Sequence, residues 1–350
     1  MDNPDPLLAE IVETAFAAGA SDILMGRGRI AFRIDGEVMP TGFRATDPLY
    51  DLILAAQNTA EETEKTRSLL YGEAGSADFA VTVGTHRLRA NLYRWHGGLG
   101  AALRPLPSVA HSAEMLGIPE STLNYVLKAR DGLILVNGPT GSGKSSTLNC
   151  LVEYLNANRA ANIITIEEPI EYLYSPKSAT IQQREIGKDV GDFAEALRSA
   201  LRQNPDVIVI GEIRDDATLV AALQGAETGH LVMGTLHTGN AASTISRLVN
   251  MAPGHRQGEV RSVLASVLKL IICQRLLKRC DEPGRVAVRE ILINTPSIAA
   301  LIREGADHQI TSNLLTGRKD GMVDWGSSLR SLYEAGTIDK ATYTRESHEP

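Results

Sequence analysis

Apolar residues recur at helical spacing over residues 7–18, and Gly19 follows as a C-cap. Residues 29–34 then alternate, Asp35-Gly36 is a hairpin turn signal, and 37–39 resume the alternation. The period turns helical over 47–70. It becomes strand-like over 77–83 and 86–93, joined around Gly84-Thr85, and over 100–103 before Arg104-Pro105. Residues 1–105 are therefore expected to form a small α+β domain, with helices laid on an antiparallel sheet. Residues 106–125 read as a linker, because prolines and small polar residues interrupt each periodic pattern.

Beyond the linker, strands and helices alternate. Strands are expected at 133–137, 162–167, 207–211, 231–236 and 286–293, and helices at 145–156, 192–203, 215–227 and 240–249. Such alternation predicts an α/β core over 126–293 with a mostly parallel sheet covered on both faces. Further helices are expected at 259–280, 296–303 and 324–336, so residues 294–350 read as a helical extension.

Composition narrows the picture modestly. A chain of 350 residues, 43% hydrophobic and 22% charged, suits a globular protein with two cores. A formal charge of −7 argues against a general nucleic-acid binder, so no stable nucleic-acid partner is expected. Cys150, Cys273 and Cys280 make no metal-type pair; Cys150 and Cys273 fall in apolar runs read as helical, where buried thiols are the default. No run approaches the length of a membrane span and the start lacks a signal-peptide pattern. The expectation is a cytoplasmic protein, with any membrane contact peripheral or through a partner.

One stretch changes the picture sharply. Gly138-Pro139-Thr140-Gly141-Ser142-Gly143-Lys144-Ser145, with Ser146 behind it, fits the phosphate-loop pattern between an apolar strand and a helix. Its glycines let successive N–H groups turn inward around phosphate oxygens at the positive end of a helix. Lys144 would supply a point charge to the β- and γ-phosphates of ATP, and the Ser145 hydroxyl a ligand to Mg²⁺. A chance match in a chain of this length is on the order of one per cent.

ATP hydrolysis needs carboxylates as well. Asp206 opens an apolar run, 207–210, that ends in Gly211-Glu212, the layout of a Walker B strand with glycine where an aspartate is usual. Glu167-Glu168-Pro169-Ile170-Glu171 puts three acids at a strand exit; taken alone, it fits a solvated acidic turn as well as a ligand site. His230 and His237 stand at the two ends of one expected strand, and periodicity leaves their role open.

Taken together, these stretches resemble the bacterial secretion ATPases of type II secretion, type IV secretion and type IV pilus machines, and within them the pilus-retraction branch. Residues 166–171 look like that family's Asp box, 209–214 its atypical Walker B and 229–238 its His box; 183–185, 196–202, 226–230, 301–304 and Gly321-Met322 add to the likeness. The resemblance implies a PAS-like N-terminal domain, a RecA-like ATPase domain with nucleotide between the two, and a homohexamer working on an inner-membrane platform protein. By matching position it implies Glu171 as the general base, Glu212 acting near Mg²⁺, His237 sensing the γ-phosphate and His230 ordering the site. Arg89 and Arg104 resemble arginines that close on the phosphates. Two departures stand out: Glu168 replaces an aspartate, and the retraction motif Ala-Ile-Arg-Asn-Leu-Ile-Arg-Glu here reads Ser297-Ile-Ala-Ala-Leu-Ile-Arg-Glu304. Besides a motor, a DNA-translocating ATPase and a nucleotide-gated regulator with slow hydrolysis fit the same core.

Overall fold

In the first hundred residues, alternating burial builds one sheet face against helices. The computed structural model describes residues 6–34, 36–57, 59–106 and 111–347. It divides into two units: the first holds residues up to Val109 together with Pro169–Leu173, the second Ala110–Glu168 and the chain from Tyr174 onward.

Unit one contains α1 (Pro6–Ala17), β1 (Asp22–Gly26), β2 (Arg29–Ile34), β3 (Glu37–Pro40), α2 (Asp47–Ala55), α3 (Ala60–Tyr71), β4 (Ser76–Val83), β5 (His86–Trp95) and β6 (Gly98–Pro105). Its six strands run antiparallel in the order β3-β2-β1-β6-β5-β4. On β5, Leu88, Ala90 and Leu92 turn into the core with Ile11, Ile23, Leu49 and Ile53, while Arg87 and Arg89 occupy the other face. The span 47–70, expected as one helix, is two. Thr59 accepts from the Glu62 N–H while its own N–H donates to the Glu62 carboxylate, a capping box that starts α3. Asp35 of the expected turn lies outside the described residues, but β2 and β3 do pair as a hairpin.

Unit two begins with α4 (Ala113–Leu116) and α5 (Glu120–Lys128), both reaching into the interval read as linker. Ser112 caps α4 and left-handed Gly117 ends it, so the small polar residues there are helix punctuation. Next come β7 (Gly132–Asn137), α6 (Lys144–Asn158), β8 (Asn162–Glu167), β9 (Thr180–Glu185), α7 (Phe193–Ala200), β10 (Val207–Ile210), α8 (Asp216–Glu227), β11 (Leu231–Leu236) and α9 (Ala241–Met251). The chain finishes with α10 (Gln257–Val267), β12 (Leu268–Lys278), β13 (Arg285–Ile293), α11 (Pro296–Glu304), α12 (Ile310–Thr316), α13 (Trp325–Glu334) and α14 (Lys340–Ser347).

The seven-stranded order is β13-β12-β7-β11-β10-β8-β9, parallel except for β13. Every residue of β7 and β11 is buried, which requires cover on both faces. The expected helix over 259–280 is corrected here: α10 stops at Val267 and the chain continues as β12. A strand buried on both faces shows no alternation, so its apolar run mimics a buried helix. Cys273 accordingly sits in a strand. Edge strand β9, Thr-Ile-Gln-Gln-Arg-Glu, escaped notice because it carries one apolar residue. A small cluster of Leu277, Val288, Leu329 and Ile338 seats the C-terminal helices on the β12–β13 hairpin.

Ile271 is fully buried in β12. Its truncation to Ala should cost about 3 kcal/mol, read as a lowered denaturant midpoint; a shift near zero would argue against β12 as a core strand.

Candidate active site

Four parallel strands deliver the chemistry side by side. The registers Asn137↔Leu236, Ile210↔Gly234 and Ile166↔Ile210 align the carboxyl ends of β7, β11, β10 and β8. From those ends emerge the phosphate loop, His237, Glu212 and Glu168, at strand spacings of about 4.8 Å.

The loop bends at Gly138, Gly141 and Gly143, with φ of 149°, 77° and 84°. A Cβ on Gly138 would lie 2.2 Å from the Gln274 carbonyl of β12, so only glycine fits. Gly143 caps α6 and offers no side-chain acceptor, whereas Asp192, Asp215 and Asn240 cap α7, α8 and α9 with side-chain oxygens. The first N–H groups of α6 are thus left to an anion, and the helix dipole adds to the attraction. Pro139, Thr140 and Ser145 are exposed, and the buried Ser142 hydroxyl finds no hydrogen-bond partner among the described residues.

Lys144 Nζ donates to the carbonyls of Gly138 and Pro139 at 2.8 and 3.0 Å and lies 3.4 Å from His237 Nδ1. An ammonium only donates, so Nδ1 must accept and the imidazole proton sits on Nε2. That atom faces Glu212 Oε1 at 3.4 Å. The other Glu212 oxygen accepts from Arg214 Nε at 2.9 Å, and Arg214 Nη1 donates to Glu168 at 2.9 Å. Burial pushes the Lys144 ammonium below its ordinary range, partly offset by Glu212. The hydrogen bond to Glu212 raises the Arg214 guanidinium. Thr235 closes the frame, its hydroxyl donating to Gly211 O at 2.6 Å while its carbonyl accepts from Ile213 N.

His230 does not join this group. It sits at the amino end of β11, its Nδ1 3.0 Å from Gly225 O, while His237 follows the carboxyl end. Six strand residues separate the ends by about 20 Å, so the role expected for His230 beside the loop is corrected.

Glu171 belongs to the Pro169–Leu173 segment of unit one, where Arg89 Nη1 approaches it at 3.8 Å and Arg87 Nε donates to Ile170 O at 3.0 Å. Arg89 and Arg104 face one another across β5 and β6. Directly opposed cations repel, and carboxylates separate them: Asp22 holds Arg104 at 3.0 Å, Asp78 lies 3.7 Å from Arg89.

The sequence model of the type II/IV secretion system protein family matches residues 4–320. The chain belongs to that family. It is 39% identical over 337 residues to the type IV pilus retraction ATPase PilT of Pseudomonas aeruginosa, covering 95% of this chain and 96% of that protein. It is 48% identical over 267 residues to the uncharacterized protein YggR of Escherichia coli K12, covering 76% and 81%. A crystal structure of the pilus retraction motor PilT with bound ADP superposes with a TM-score of 0.87 at 40% identity, covering 99% of this chain and 98% of that one. This member of the secretion family is PilT-like in both sequence and fold.

Two residues of this PilT-like site escaped the sequence reading. Gln274, buried in β12, donates to Ser142 O at 2.7 Å and accepts from Thr147 Oγ1 at 2.8 Å, bracing loop and helix at once. Arg289 in β13 donates to the same Gln274 oxygen at 3.3 Å. The available signal was the polar pair Gln274-Arg275 interrupting an apolar run.

Gly141 has open space around a would-be Cβ, so Gly141→Ala should cost only the left-handed backbone strain, about 1 kcal/mol. Gly138→Ala adds a clash with strand backbone and should cost at least about 3 kcal/mol. Comparing the two unfolding midpoints checks this; equal losses would refute the wall role of β12.

Proposed function

We propose that this chain is a Mg²⁺-dependent ATPase, the motor subunit of a pilus or secretion machine. It works as a homohexamer against an inner-membrane platform protein, with contact to the membrane made through that partner. The observation that carries the reading is the row Lys144–His237–Glu212–Arg214–Glu168 beside an uncapped, glycine-turned helix start. Family membership and the ADP-bound PilT structure support it. Among the described residues, no helix is long and apolar enough to cross a membrane.

The residues present suit a metal that arrives with nucleotide. Among the described residues no three His, Cys, Asp or Glu side chains form a metal cluster. The exposed Ser145 hydroxyl and the Glu212 carboxylate are hard oxygen donors of the kind Mg²⁺ accepts while keeping phosphate oxygens and waters. Bound there, the ion would draw charge from the terminal phosphates and align them for attack. Gly138, Gly141, Ser142 and Gly143 lend backbone N–H groups to the phosphates. Lys144 trades two loop carbonyls for phosphate oxygens, relieving the desolvation that depresses it. His237, already beside Lys144 and Glu212, is suited to register a terminal phosphoryl group.

Glu171 takes the base role, accepting a proton from the attacking water. Arg89, held by Asp78 and Glu171 rather than locked in a core, is free to exchange those carboxylates for phosphate. Arg104 is assigned the same duty. His230 has no part in this chemistry.

Lys144→Ala should fold and lose at least about 100-fold in ATP turnover, and Glu171→Gln should lower kcat about 10²–10⁴-fold with ATP binding retained. A phosphate-release assay at saturating ATP, paired with a binding titration, checks both. Turnover unchanged by Lys144→Ala would end the ATPase reading.

A further inference from the structure

A cavity of about 1250 Å³ adjoins the phosphate loop, walled by Gly143, Ser146 and Thr147 on one side and by Leu116, Leu276 and Met322 on others. Lys144, His237 and Glu212 stay outside it. Those three mark the end of the loop proposed for the terminal phosphates, so the cavity lies toward the sugar and base, and its size is ample for them.

Five arginines line this cavity, and only Arg289 among them is buried, at 5% exposure. Arg279 is paired with Asp281 and Glu282, and Arg318 with Asp324. Arg289 has no carboxylate partner among the described residues. Nε donates to Gln274 Oε1 at 3.3 Å and Nη1 to Gly117 O at 3.1 Å, while Nη2 finds no acceptor among the described residues. Nη2 is not among the fully enclosed atoms left without a partner, so this edge opens toward the cavity, while the rest of the cation is desolvated without a counter-charge, which is costly. Burial pushes this guanidinium down to about 10. Gln274 holds the guanidinium from the buried side and the Gly117 carbonyl from an exposed turn, so the Nη2 edge is left to whatever fills the cavity.

We propose that Arg289 is a nucleotide-contacting specificity residue. Its open guanidinium edge donates to acceptor atoms on the sugar–base end of the nucleotide, and Gln274 links that contact to the phosphate loop. The inference rests on reading the loop as an ATP site. Gln274 touches Ser142 O, Thr147 Oγ1 and Arg289 with one amide, so a pull on Arg289 is felt directly behind the phosphates. A ligand that has phosphates but no nucleoside cannot use Arg289.

The test compares ATP with inorganic tripolyphosphate by isothermal titration, in the wild type, Arg289→Met and Arg289→Lys. Arg289→Met should weaken ATP roughly 10- to 100-fold and lower the ratio of ATP to tripolyphosphate affinity at least about tenfold. Arg289→Lys keeps the charge without the fork and should fall between; it carries the comparison alone if the Met variant does not fold. An unchanged ratio, whether both ligands weaken equally or neither does, overturns the proposal. Failure of the underlying reading looks different: Lys144→Ala would then bind ATP as the wild type does, whatever Arg289 shows.

Discussion

The backbone of β12 passes so close to the start of the phosphate loop that residue 138 has no room for a side chain. Much of unit two serves that approach. It requires β12 to lie directly beside β7, which requires α10 to end at Val267 and the chain to turn at once into a strand. The register shift between Leu268 and Leu270 is where that entry is adjusted. With the wall in place, Gln274 can fasten Ser142 and Thr147 together. The strand on the other side of β7, β11, then presents His237 to the loop's open edge. One sheet order thus supplies a rigid back and a chemical front.

The front is held by charges that are easy to exchange. Side-chain exposures of 56% for Arg214, 43% for Glu168 and 44% for His237 leave these pairs well hydrated. Hydrated pairs of this kind contribute only about 0–1 kcal/mol each, so the row is not a stability device. Its value is that each member already has a provisional partner. Exchanging Lys144 away from its two carbonyls, or Glu212 away from Arg214, therefore costs little. The same logic applies in unit one, where Asp22, Asp78 and Glu171 offset the repulsion between Arg89 and Arg104 through exchangeable contacts.

What could be read from the chain was whatever is local. The phosphate loop, the Glu212 strand exit and the βα alternation are each specified within a dozen residues, and each stands where expected. Partners distant in sequence were not legible. Gln274 lies 132 residues from Ser142 and Arg289 lies 172 from Gly117, so no spacing rule links them. The continuously buried run 270–274 of β12 defeated period analysis because burial on both faces erases the alternation that marks a strand. His230 is a different case: its placement at the far end of the strand from His237 was legible, and its role beside the site came only from the family resemblance. The capping box at Thr59 was readable and would have split the long helix of unit one.

The altered retraction motif can be weighed on packing. In α11, Ile298 and Ile302 are fully buried and Ala299 is 9% exposed, while Arg303 and Glu304 are exposed. The apolar positions that seat the helix are therefore kept, as are the polar ones at its end. Asp307, just beyond, is gripped by Arg261 at 2.6 and 3.2 Å and by the Ser246 hydroxyl at 2.7 Å, which ties α9, α10 and the end of α11 together. The Arg-Asn pair is gone, replaced by Ala299 and Ala300, and an exposed Ser297 stands where the motif has its first Ala. At position 299 the replacement exchanges a long cation, which would have to reach out past its neighbours, for a methyl that packs in place. The helix keeps its scaffold function without that cation. Whatever the pair contributes in retraction motors, this chain must supply it from other residues or do without it.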